Sequence, residues 1–308
     1  MLISFIEGFR ISLRSKKMIT IIYLSILIFG LLAAIPFFGS AKTNFANSLL
    51  INDLLKDFDY RAYSDLTHNF KEAIAPFISI IQWFGVGYLF FSLFLSAGIL
   101  GTFIKNENEY QLKTFLRFSG KYFGRFAKLF LYTFILQLIS FAVLTIPFAL
   151  IITSLVDTVQ SESTLVYISL VYIQIFVAVF YLFSLLADYT KIILVKENSN
   201  QVLKSMWSSV KFIYRNLKSI LLYILTFWFP VSIMLLYLLI EDVIGMTSGF
   251  TIVLMIIFQQ VFVWFRVLGK VWILASEVSF YDRKSITLLT EKEDEELDEF
   301  EDTVTETV

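Results

Sequence analysis

Residues 121–153 read KYFGRFAKLFLYTFILQLISFAVLTIPFALIIT, and this one stretch sets the fold class. Lys121, Arg125 and Lys128 recur at spacing i, i+4, i+7, which places them on one face of a helix. From Leu129 to Thr153 no charge interrupts the apolar run. About 20 such residues cross a bilayer, and with no water to bond the backbone they must coil into a helix.

Five more runs of this kind lie on either side, over residues 18–38, 77–104, 165–187, 220–240 and 250–275. The fourth can extend through Ile192-Ile193-Leu194-Val195. Composition agrees: the chain is 57% hydrophobic and 18% aromatic, above the roughly 45–50% apolar usage of soluble domains. The chain has no cysteine and one histidine, His68, so disulfides, thiolate sites and multi-histidine metal sites are excluded. No metal, cofactor or nucleic-acid partner is expected.

Loop charge gives the orientation, because basic loops resist translocation. Arg10, Arg14, Lys16 and Lys17 precede the first span, and the second and fourth connections carry six basic residues each. The third and fifth carry none, and the first sets four basic residues against five acids. Both termini are therefore expected on the cytoplasmic side. Gly39-Ser40-Ala41 resembles a cleavage site, but the preceding apolar stretch is too long for a signal peptide, so an uncleaved first span is expected.

The basic triplet occurs three times. Arg10, Arg14 and Lys17 precede the first span, Lys121, Arg125 and Lys128 the third, and Lys211, Arg215 and Lys218 the fifth, at offsets of 111 and 90 residues. Ile35-Pro36-Phe37 falls on Ile146-Pro147-Phe148 at the first offset, and Glu107, Asn108 and Gln111 fall on Glu197, Asn198 and Gln201 at the second. The expected fold is thus an all-α, polytopic membrane bundle of six transmembrane helices in three hairpin repeats. Each repeat begins with a cytoplasmic amphipathic helix. The units cover about 1–104, 105–195 and 196–290 of one transmembrane domain, and 291–308, with ten acidic residues, reads as a disordered cytoplasmic tail. Gly120 and Gly124 mark a place where the second amphipathic helix could break.

Two groups of residues are candidate sites. The nine residues of the basic triplets form candidate contacts to anionic lipid head groups, each Lys or Arg contributing about 1 kcal/mol near an anionic surface; anchoring and topology are their ordinary role. Asp188, Lys191, Arg266 and Lys270 form a candidate polar centre within the spans. Aligning Lys191 with Lys270 sets Asp188 level with Arg266, and Ser96-Ala97-Gly98-Ile99-Leu100-Gly101 at the matching place in the first unit allows close helix approach. Packing and a substrate or proton site are both open for this centre. Asp65, His68 and Glu72 are a weaker acid/histidine cluster in the long external connection.

No phosphate loop, dinucleotide fingerprint, zinc-protease motif or nucleophile elbow is present in the sequence, and no enzymatic activity is expected. The basic helix leading into a long aromatic-rich span, at 121–134 and 211–227, resembles uncharacterised bacterial six-helix inner-membrane proteins and the membrane domain associated with glycerophosphodiester phosphodiesterases. That resemblance covers most of the chain and implies a bacterial inner membrane; it transfers no catalytic residue. The expected function is a non-enzymatic scaffold or accessory protein that engages anionic lipids, with a membrane-protein partner or a second copy. The alternative is a small transporter or lipid-handling protein that uses the polar centre.

Overall fold

The computed structural model describes residues 1–45, 64, 71–105, 111–156, 162–244 and 248–305. Among them are eight helices and no strand: α1 Leu2–Arg14, α2 Lys16–Phe45, α3 Lys71–Ile104, α4 Leu112–Val156, α5 Glu162–Lys196, α6 Val202–Arg215, α7 Lys218–Ile244 and α8 Gly249–Thr305. Six of these, α2 to α5, α7 and α8, are long and apolar enough to cross a membrane. The chain is a multi-pass, all-α membrane protein.

Pro36, Pro147 and Pro230 lie inside α2, α4 and α7 without ending them. Nor do Gly120 and Gly124 break α4, which runs unbroken over 45 residues. A Cβ at either glycine would meet nothing, so both sit on an open face, while Phe115, Phe118, Tyr122 and Phe126 are buried on the other. Packing of those rings holds the helix where propensity alone would weaken it. The α6–α7 boundary, in contrast, is a real stop: Asn216 leaves helical geometry at φ −128° and its N–H bonds back to Phe212 and Ile213. α8 continues as helix to Thr305, across the acidic run for which the sequence predicted no fixed structure; glutamate is itself a good helix former. The cluster of Asp65, His68 and Glu72 lies outside the residues whose side chains are described.

The chain divides into two compact units. The first comprises Met1–Leu13, Ala97–Phe227 and Trp272–Val308. Its buried side chains gather at the ends that carry the basic residues, around a cluster of Leu129, Leu194, Val202 and Met206 with Leu186 against it. Away from that end, α4 exposes Leu131, Ile135, Leu138, Val143 and Leu150, as a lipid-facing helix must.

Three similar contacts organise this unit. Gly8 of α1 lies against Ser276 of α8, so that a Cβ there would come 2.6 and 2.7 Å from the Ser276 N and Cα. Ser119 of α4 lies against Gly98 of α3, with the Phe115 ring beside it and Phe118 against Gly101. Ser209 of α6 donates to the Leu186 carbonyl of α5 at 3.2 Å. Within the 96–101 run, Gly98 and Gly101 give close approach to α4.

The second unit comprises Arg14–Ser96 and Trp228–Val271. Phe29 of α2 packs on Phe84, Tyr88 and Phe91 of α3. Intramembrane glutamines bridge helices here: Tyr23 donates to Gln260 at 2.9 Å, and Gln259 donates to Tyr237 at 3.2 Å.

Candidate functional site

α6 shows how a short helix can serve two environments. Val202, Ser205, Met206, Ser209 and Phe212 are buried against the first unit. Leu203, Trp207, Val210 and Tyr214 recur at i, i+4, i+7, i+11 and stay exposed, Tyr214 at 81%. Lys204, Lys211, Arg215 and, beyond the helix, Lys218 are exposed beside that stripe, and Lys211 lies over the Trp207 ring at 5.8 Å. The sequence reads one apolar side opposite one basic side; the structure divides the apolar side into a packed face and an open one.

The other triplets follow suit in part. Arg10, Arg14, Lys17, Lys121 and Lys128 are exposed, and α1 exposes Leu2, Ile3 and Ile6 as well. Arg125 is half-buried. It donates to Asn198 Oδ1 at 3.1 Å and lies over the Tyr122 ring at 5.2 Å. Asn198 holds φ at 50° in the α5–α6 connection, a left-handed geometry that asparagine tolerates better than most residues.

α1 is clasped to the end of α8. The Trp272 Nε1 donates to the Phe5 carbonyl at 2.9 Å, and its ring lies between Phe5 and Phe9. Ser279 and Arg283 both donate to Glu7 Oε2, at 2.6 and 2.8 Å. Those hydrogen bonds, Ser279 first, hold the Glu7 carboxyl below its usual value; the charges of Arg283 and Arg10 act the same way against partial burial.

The four residues of the expected polar centre divide between the units, Asp188 and Lys191 in the first, Arg266 and Lys270 in the second. The Asp188 carboxylate is bonded by Lys191, one turn along α5, at 2.7 Å. Lys270 donates to Ser92 at 2.9 Å, and Arg266 is exposed.

The residue that sequence reasoning missed is Glu277. It is fully buried, and neither carboxyl oxygen has a hydrogen-bond partner among the described residues. The charges acting on it are Asp188 and Lys191. Tyr189, also fully buried with an unpartnered hydroxyl, and Tyr223 lie in the fields of both acids. Phe212 packs on Tyr189 at 5.1 Å and on Tyr281, one turn after Glu277, at 4.8 Å. α5, α6 and α8 thus join through these rings one turn from Glu277.

Neither a family model, nor a curated protein, nor a solved structure matches the chain.

Proposed function

We propose that this chain is a non-enzymatic integral membrane scaffold or accessory protein that seats its basic end on anionic lipid head groups. One observation carries the reading: the three-faced α6, with a packed face, an open apolar stripe of Leu203, Trp207, Val210 and Tyr214, and an adjoining basic row. Such a helix lies in the interface with its rings at the acyl boundary and its cations among the phosphates. Membrane lipids are the first partners of this reading, and a membrane protein or a second copy of the chain is the second. The basic connections favour a cytoplasmic face for this end and both termini, and the resemblance noted above favours a bacterial inner membrane.

The scaffold is built from three hairpin repeats, each opened by an amphipathic helix. Support comes from register: offsets of 111 and 90, taken from the basic triplets, bring Gly8, Ser119 and Ser209 together, and these are the residues at the three close contacts. Buried Ser4, Phe115 and Ser205 coincide under the same offsets, as do Met18, Leu129 and Ser219. In this scheme each opening helix packs on the returning span of the preceding repeat, and α1 completes the cycle on the last.

Lipid retention tests the reading. The protein is purified from vesicles of mixed zwitterionic and anionic phospholipid, and bound lipid is identified by native mass spectrometry. Anionic lipid is expected to be enriched. The triple variant Lys204→Gln, Lys211→Gln, Arg215→Gln removes about 3 kcal/mol at about 1 kcal/mol per charge, near two orders of magnitude in affinity. No enrichment, or enrichment unchanged in the variant, overturns the proposal. A transport or lipid-handling role is favoured by a different observation, the buried acid Glu277 beside Asp188 and Lys191.

A further inference from the structure

Of two acids in the first unit, one has a lysine and the other has no hydrogen-bond partner among the described residues. Asp188 holds Lys191 at 2.7 Å with both side chains 17% exposed, and Glu277 lies in the field of that pair with no exposure at all. The remaining groups around it add no positive charge: Tyr189 on α5, Tyr223 on α7, and Tyr281 one turn along α8. Asp282 is taken by Lys196, Glu7 of α1 by Ser279 and Arg283, and the cations of α6, Lys204, Lys211 and Arg215, are exposed. A bare carboxylate with neither oxygen bonded is among the most costly groups to bury. One proton on Glu277 makes the trio of Asp188, Lys191 and Glu277 neutral.

We propose that Glu277 is a proton-binding site, occupied in the arrangement seen here and emptied when Lys191 turns from Asp188 toward it. On release the Glu277 O–H bond breaks, the proton passes to water at the basic end, and the trio goes from net zero to net −1. In this proposal Lys191 is the moving part, passing from Asp188 to Glu277, and the packed rings of Tyr189, Phe212 and Tyr281, the last one turn from Glu277, are the barrier to water. The proposal is independent of lipid binding. It gives the chain the element that a proton-coupled membrane protein requires, an ionisable group with two alternative charge partners.

Infrared spectroscopy of the reconstituted protein tests it through the carboxylic-acid C=O band. A protonated-acid band is expected at neutral pH, and Glu277→Gln should remove it. Asp188→Asn is the second arm: with its competitor gone, Lys191 bonds Glu277, which ionises, so the band should disappear although Glu277 is present. Phe212→Ala should speed the deuterium shift of the band at least tenfold by admitting water. A band that survives at full intensity in either Glu277→Gln or folded Asp188→Asn overturns the proposal, as does its absence from the wild-type protein.

Discussion

Gly8→Ala is the sharpest single perturbation of the α1 clasp. The added Cβ would lie 2.6 Å from the Ser276 N and 2.7 Å from its Cα, whereas carbon atoms pack best at about 3.5–4.0 Å. Backbone atoms cannot swing aside, so α1 must retreat by about 1 Å to reach that spacing. Overpacking of this kind costs about 1–3 kcal/mol, and the better helix propensity of alanine returns close to 1 kcal/mol. The net loss, up to about 2 kcal/mol, shifts undocking of α1 by up to about 30-fold. The chain has no cysteine, so Ser4→Cys, at a position 1% exposed on the packed face of α1, gives a clean reporter. Its labelling by a hydrophilic maleimide in membranes should accelerate by that factor in the Gly8→Ala background. Equal labelling rates in the two backgrounds would refute the close approach of α1 to Ser276.

Other substitutions separate packed glycines from open ones. Gly98→Ala and Gly101→Ala, whose Cβ atoms would come within 2.6 and 2.7 Å of the Phe115 and Phe118 rings, should lower the melting temperature through a loss of about 1–3 kcal/mol; Gly120→Ala should raise it by the helix propensity of alanine. Asn198→Ala adds left-handed strain of about 1–2 kcal/mol and removes the Arg125 bond, so thermal unfolding should respond more to it than to Asn198→Gly. The Glu7 carboxyl sits below its unfolded value, so its contribution is full above that value and is lost as pH falls through the folded one. Ser4→Cys labelling, normalised at each pH to the thiolate-limited rate of an exposed cysteine, should therefore quicken on acidification, and Glu7→Gln should be quick by the same measure at every pH. Trp272→Phe keeps the ring stack but loses the bond to the Phe5 carbonyl, about 0.5–1.5 kcal/mol, and hydrogen exchange in α1 should rise accordingly.

The spans were legible because hydropathy and length act locally, residue by residue, as the unbroken run after Lys128 illustrates. The basic rows were legible through spacing alone. What spacing could not say is which side of an amphipathic helix faces protein: Phe212 and Trp207 look alike in sequence, yet one is buried and the other 61% exposed. Glu277 escaped notice because it follows Ala275, where the sixth span was expected to end, and an acid just past a span reads as a solvated exit. The signal was available in the neighbouring residues Ile273, Leu274, Val278 and Phe280, which keep the helix apolar on both sides of it. Aligning Lys191 with Lys270 then drew attention to Arg266, eleven positions earlier. Gly8 carried no sequence signal, since its partner Ser276 is distant in the chain.

That distance has a bearing on biosynthesis. Trp272 and Phe5 are joined across 267 residues, and at about 5–20 residues per second the ribosome takes roughly 13–53 s to cover the interval. Through that time α1 has been made and its docking partner has not. A newly made α1 needs a temporary host for Leu2, Ile3, Phe5 and Phe9, and the bilayer surface is the nearest one. Interference with early lipid contact should then be felt as misassembly, well before any effect on the finished protein.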